Sequence, residues 1–417
     1  METLSEPRIR KNLTSLTFIE TASINLSTLD DRGWLIRHDH QMLSDNAMVI
    51  SLMSDDKFKA VAIVSPAVGS YFQAKTMLNS EYLQNTLFLS SLWLSPDTDT
   101  NEILPGILYL ALRRGRIWNK TNIVSLLPNV NALLASTAKL QVLSNLSVIE
   151  NQGVILYPVA QRIKYSLYYL YQSTKGTYRD IINQNIVHEI VETVNKWLFN
   201  NVFKSPWVQA IFDGSFTKQQ YIHLLYNTYQ YVRLTLRLIS RCIAFSDNME
   251  LRDHFVYHLR GEVNHELIIE RDIKYLGGDL NYMKYACVPE PGIKEFMVVQ
   301  ESTVGFYQDP VLMLACPLVA EGITANIKPE FLNALLIVIK SWGIENPKEA
   351  ARFFSSHVNT DGGDDGHWTH VIKMIGHFVT DEVILQKFLG VLYGAMNGLE
   401  RGYNAVVHDL ALWSIKT

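Results

Sequence analysis

Apolar and polar positions follow two different rhythms along this chain. Up to about residue 165, short apolar and β-branched runs recur at 48–53, 59–64, 87–94, 123–127 and 153–159. Asp, Gly, Pro or Asn bounds several of them, as expected of strands. Between two of these runs, Ile103, Ile107, Leu108 and Leu112 fall at helical spacing, with Arg113, Arg114 and Arg116 close behind. Cations suit a helix C-terminus, so this is a predicted helix over 103–118, and 131–140 predicts a second. From Tyr178 onward the period is helical. The predicted helices run over 178–200, 217–244, 248–276, 294–309, 311–327, 330–339, 346–359, 366–378 and 381–414. Breaks come from Gly277-Gly278, Pro289-Glu290-Pro291-Gly292, Asp309-Pro310 and Asn346-Pro347. The change of texture predicts an α+β chain of two domains. An α/β domain occupies 1–172 and an all-α helical bundle occupies 173–417, with a linker over 172–177 that contains Ser173, Thr174 and Gly176.

Size and composition agree with two globular domains. The chain has 417 residues, 48% of them hydrophobic and 19% charged, so cores are affordable and disorder is not expected. A net charge of −4 and no run of Lys or Arg argue against nucleic acid as a partner. No apolar run reaches the length of a membrane span, and the polar first fifteen residues carry no secretory pattern. Cys242, Cys287 and Cys316 are far apart, which suits a reducing cytoplasm better than a disulfide framework. A small molecule is the expected partner, and a homodimer is allowed.

Candidate chemistry sits in the helical half. Glu262 and His265 are three residues apart and share one face of a predicted helix. Glu-x-x-His is a ligand pattern of di-iron and di-manganese carboxylate proteins, although the same spacing also arises on solvated faces. A second segment raises its weight: His357, Asp361 and Asp364 fall at i, i+4 and i+7, and His367 follows one turn later. Carboxylate oxygen with imidazole suits iron or manganese. A hydrated inter-helix loop is the plain alternative there, since Gly362, Gly363 and Gly366 interrupt the pattern. Glu321 is a single carboxylate in an apolar helical run, either at its exposed edge or buried against a cation.

Together these residues resemble the haem-oxygenase-like di-iron oxidases, helical bundles related in fold to the TenA and PQQ-synthesis proteins. The resemblance covers roughly 175 to 417. In that family one helix supplies Glu-x-x-His, a later one a Glu, and a last one His-x-x-x-Asp-x-x-His. It implies Glu262, His265, Glu321, His357 and Asp361 as metal ligands. The family's closing His would be residue 364, which here is Asp364, so either Asp364 or His367 closes the set. Many relatives add a Glu one helix earlier. The stretch Tyr226-Asn227-Thr228-Tyr229-Gln230-Tyr231 has none, which implies a weakly held second iron and a tyrosine, Tyr229, at the substrate. The resemblance further implies two Fe2+ ions, with Mn/Fe as the variant, O2 as co-substrate, and a cavity lined by the Tyr229 helix, Phe255, Phe353 and Phe354. The reaction implied is hydroxylation or oxidative C–C or C–N cleavage of a small amine, amino acid or acyl-linked amino acid. His258 and His370 are the neighbours expected to hydrogen-bond to ligands. A metal-free enzyme of the TenA or PQQ-synthesis kind is the alternative; it needs a nucleophilic Cys or a set of basic pocket residues, and Cys242 lies on the right kind of helix, although its neighbours Ile243 and Ala244 suggest a small buried residue.

In the first domain, Leu92-Trp93-Leu94-Ser95-Pro96, Leu104 to Leu108 and Arg113-Arg114-Gly115 resemble an acyltransferase of the GNAT class. The glycine-rich phosphate loop of that class is replaced by Pro96-Asp97-Thr98-Asp99-Thr100-Asn101. Two carboxylates would face an acyl-CoA pyrophosphate, which implies a degenerate domain. N-acyl amino acid synthesis is the alternative.

Overall fold

The computed structural model describes residues 16–22, 28–37, 46–128, 132–143, 146, 149–151, 154–361 and 366–408. The chain divides into two compact units, Met1–Glu189 and Ile190–Thr417.

The first unit is built on a mixed sheet of nine strands among the described residues. These are β1 (Leu16–Thr21), β2 (Trp34–Ile36), β3 (Met48–Ser54), β4 (Lys57–Pro66), β5 (Thr86–Leu94), β6 (Asn122–Pro128), β7 (Gln141–Val142), β8 (Ile149–Asn151) and β9 (Val154–Arg162). The order is β1-β3-β4-β5-β6-β9-β7, with β2 on β5 and β8 on β9. Only β5 and β6 pair in parallel, from Thr86↔Asn122 to Phe88↔Val124, and helix α1 (Thr100–Ile117) crosses between them. All nine β5 residues are buried, the polar Thr86, Ser90 and Ser91 included, as expected of a strand covered on both faces. The arginines that close α1 do more than answer its dipole: they are buried. Arg113 reaches Glu20 at 3.3 Å, Arg114 pairs with the same carboxylate, and Arg116 Nε donates to Glu189 at 2.6 Å. Asp99 caps α1 by accepting from the Asn101 amide at 2.9 Å, so the anion site at this helix start already holds a carboxylate.

The unit boundary falls later than the 172/173 expected from sequence. Ile163, Leu167, Leu170 and Tyr171, then Ile181 and Ile182, share one core with Ile103, Ile107 and Leu108 of α1. The polar residues at 172–177 are a break inside this unit, with Thr174 fully buried.

The second unit is helical. Its site-bearing elements are α2 (Lys218–Val232), α3 (Met249–Glu262), α4 (His265–Tyr275), α5 (Pro291–Glu301), α6 (Ala315–Ala325), α7 (Arg352–Asp361), α8 (His367–Phe378) and α9 (Glu382–His408). Two long predicted helices are each broken. The run 217–244 stops at Val232 and restarts at Thr235. The run 248–276 stops at Glu262, because Val263 is extended and Asn264 takes φ 71°. Asn tolerates that left-handed geometry better than most residues, and the apolar period carries no sign of it.

Helices α5 and α9 meet backbone to backbone through glycines. A Cβ on Gly292 would stand 2.3 Å from Gly402 N, and one on Gly398 would stand 2.8 Å from Phe296 N. This contact sets where Gln300 on α5 and Tyr403 on α9 face the interior. Gly292→Ala is therefore expected to overpack the pair and cost about 1–3 kcal/mol, read as a lower urea midpoint. An unchanged midpoint would show that the helices do not depend on this contact.

Candidate metal centre

Five helices of the second unit bring their acids and imidazoles to one place. Helix α3 carries His258 and Glu262 one turn apart. The break at Val263 and Asn264 folds His265 back, so its Nδ1 lies 2.9 Å from Glu262 Oε2. Helix α6 brings Glu321, whose Oε1 lies 2.7 Å from His258 Nε2. Helix α7 brings His357 and Asp361, and α8 opens with His367, whose Nδ1 is 3.5 Å from Asp361 Oδ1. One ligand atom each from His258, Glu262, Glu321 and His367 fits within 4.8 Å of all the others.

Glu262 stands between two groups of imidazoles. Its Oε1 faces His258 at 3.5 Å and His367 at 3.9 Å. Its Oε2 faces His265, whose ring packs on that of His357 with centroids 4.6 Å apart. All of these side chains are buried, Asp361 to 1% exposure. Among the described residues, Glu321 Oε2, Asp361 Oδ1 and His367 Nδ1 are buried without a hydrogen-bond partner. Native interiors seldom leave such atoms unpaired, and a cation would satisfy all three. The donor set therefore fits a metal ion.

Neighbours fix how these groups present themselves. His357 Nδ1 lies 2.7 Å from the Phe353 carbonyl, so that nitrogen carries the proton and Nε2 stays free as a ligand. Thr324, one turn after Glu321, donates to Asp361 Oδ2 at 2.5 Å and leaves Oδ1 for the site. Asp272, two turns after His265, accepts from the Arg352 and Phe353 amides at 3.3 and 2.9 Å and so caps α7. Gly261 gives His367 its room: a Cβ there would lie 2.4 Å from His367 Cε1 and 2.5 Å from Nε2.

Charge is balanced by protons when no cation is bound. Burial opposes a charge on His258, yet the Glu321 and Glu262 carboxylates outweigh it and hold its pKa up at about 10. Burial pushes Glu262 up too, but hydrogen bonds from His258 and His265 reverse this and leave it well below the usual carboxylate range. Burial raises Glu321, and burial lowers His357.

The cavity beside the cluster is lined by His258, Glu262, Glu321, His357 and Asp361, together with Phe255, Phe353 and Phe354. His265 and His367 do not line it. Neither does Tyr229, the tyrosine assigned to substrate: its hydroxyl points to Glu270 Oε1 at 3.4 Å. Tyr231 and Tyr403 line the cavity instead, with their hydroxyls 2.8 Å apart. Tyr229 and Tyr231 are two residues apart on a helix, so they face different ways. Asp364 lies outside the described residues. His258 was expected as a hydrogen-bonding neighbour, and it is inside the cluster; its spacing of four from Glu262 was the signal. His370 packs on the Tyr257 ring at 4.9 Å. Cys242 is fully buried and burial pushes its thiol up to about 12, which is the state of a packed side chain and not of a nucleophile.

No protein-family model and no curated protein matches the chain. Among solved structures it is similar to a domain of unknown function with a heme oxygenase-like fold from Shewanella denitrificans. The identity is 18% and the TM-score 0.45, over 55% of this chain and 94% of that one. A TenA homologue from Pseudomonas syringae pv. tomato is 12% identical with a TM-score of 0.42, over 54% of this chain and 91% of that one. A CoA-dependent acyl-homoserine lactone synthase is 9% identical with a TM-score of 0.28, over 36% of this chain and 81% of that one. The chemistry below rests on the side chains and not on these likenesses.

Two variants test the geometry. Gly261→Ala should displace His367 and lower metal affinity about 10–100-fold with an unchanged circular dichroism spectrum. Retained affinity would remove His367 from the set. Burial pushes the Asp272 pKa up to about 7 from 3.8, against its two amide donors. A raised folded pKa gives stability that is complete below the unfolded value and is lost as pH rises through the folded one. Between about pH 5 and pH 8 the wild type should therefore lose unfolding free energy relative to Asp272→Asn in urea titrations. Parallel pH profiles would contradict this.

Proposed function

We propose that this chain is a metal-dependent oxidoreductase that holds two ferrous ions in the second unit and activates O2 to oxidise a small molecule in the adjoining cavity. The observation behind this reading is Glu262, whose two oxygens face two separate imidazole groups in a buried site. A carboxylate so placed suits a bridging role between two cations. His258, His367 and Glu321 would hold one ion, and His265 and His357 the other, with Asp361 completing the set. These residues would hold ferrous iron, which would supply the electrons needed to reduce O2.

The protein's own residues do the rest. Thr324 and the Phe353 carbonyl hold Asp361 and His357 in their ligand orientations. The proton on His258, kept between Glu321 and Glu262, is the one exchanged against an incoming cation. Phe255, Phe353 and Phe354 keep the chamber apolar, which limits water at the reacting centre. We assign no chemistry to the first unit, because Asp99 occupies the start of α1 where a phosphate would bind.

The test is O2 uptake in an oxygen electrode after anaerobic loading with ferrous iron. Wild type is expected to consume O2 in proportion to bound iron. His265→Ala and His357→Ala should each lose bound iron and cut uptake by about tenfold or more. Equal iron and equal uptake in both variants would remove the proposal.

A further inference from the structure

The cavity has a second polar feature that the metal ligands do not explain. Gln300 lies on α5, one turn after Phe296, whose ring meets Tyr231 edge-on at 5.3 Å. Gln300 lines the cavity and is 5% exposed, and its Oε1 is buried without a hydrogen-bond partner. A buried amide oxygen without a donor is costly, so a donor is expected from whatever fills the cavity. The nearby Tyr231 and Tyr403 hydroxyls are engaged with each other at 2.8 Å. Among the described residues the lining contains no Lys and no Arg; its formal charges belong to Glu262, Glu321 and Asp361 and to the imidazoles. Trp207, Ile239, Met313 and Ile323 make much of the remaining wall apolar.

We infer that Gln300 is a substrate-recognition residue, and that the molecule bound in this cavity is a largely apolar one that donates a hydrogen bond to Gln300 Oε1. This rests on the cavity being the chamber of the reaction proposed above. The donor is an N–H or O–H group. A carboxylate alone cannot fill this role at Gln300 Oε1, because at neutral pH it has no proton to give, and His258 is already held by Glu321 and Glu262. An ammonium gains further from the aromatic rings that line the cavity, whereas an alcohol does not.

The test is calorimetric titration of the full-length protein with hexylamine, hexanol and hexanoate before iron is added, because a carboxylate would also bind ferrous iron directly; each sample is then loaded anaerobically with ferrous iron. Hexylamine and hexanol should each bind about tenfold or more tightly than hexanoate. Gln300→Leu should weaken those two by about tenfold while leaving hexanoate binding and iron content unchanged. Gln300→Glu then separates the sources: tighter hexylamine alone assigns an amine, and tighter hexanol alone assigns a neutral donor. Hexanoate binding as tightly as the other two would overturn the inference, as would three affinities that Gln300→Leu does not move. If Gln300→Leu fails to fold, the wild-type order of the three probes decides. Iron content, measured on the same samples, reports separately on the metal reading, so failure of the one is not mistaken for failure of the other.

Discussion

Glu262, Glu321 and Asp361 are three carboxylates inside an apolar helical unit, and each needs a proton or a cation within reach to stay there. The imidazoles of His258, His265, His357 and His367 stand where that positive charge is required. Protons satisfy part of the demand, as the elevated pKa of His258 shows. They do not satisfy all of it, because Glu321 Oε2, Asp361 Oδ1 and His367 Nδ1 still face inward without partners. Imidazole and carboxylate oxygen together select for metals such as iron and manganese. The site is thus a charge problem that a bound cation would answer.

The scaffold around the cluster shows how closely that solution is built. Helix α3 ends early so that His265 can turn back on Glu262. Residue 261 is glycine where a side chain would strike His367. Asp272 ties the start of α7 to α4, the helix that carries His265, and so sets the two imidazole-bearing helices against each other. On the cavity's far-sequence side, the glycine contact of α5 with α9 fixes the faces that present Gln300 and Tyr403. None of these residues is a ligand, yet each constrains where a ligand or a substrate-facing atom sits.

Much of this was legible in the sequence. The five β-runs coincide with strands to within a few residues, apart from Gly153, which lies outside the described residues, because apolar runs and boundary residues report burial locally. Glu262, His265, Glu321, His357, Asp361 and His367 were picked out by their spacing in the sequence and lie together in the fold, although a helix break separates Glu262 from His265 and His367 opens a helix of its own. The break at Asn264 was not readable, since a left-handed Asn leaves the apolar period intact. Nor was the boundary near residue 189, because only the packing of 163–182 on α1 assigns that stretch to the first unit. Tyr229 was the wrong tyrosine for the cavity because helix rotation, which the aromatic cluster does not reveal, decides which ring faces inward. The partnerless oxygen of Gln300 has no sequence signature, since nothing distinguishes it from an exposed Gln until the helix is placed.

Anomalous diffraction at the iron edge, from crystals grown anaerobically with ferrous ion, tests the account most directly. It predicts two iron peaks, one on the His258 and His367 side of the Glu262 carboxylate and one on the His265 and His357 side. A single peak there would reduce the centre to one metal. Iron bound only elsewhere, with the Glu262 carboxylate bare, would contradict the account.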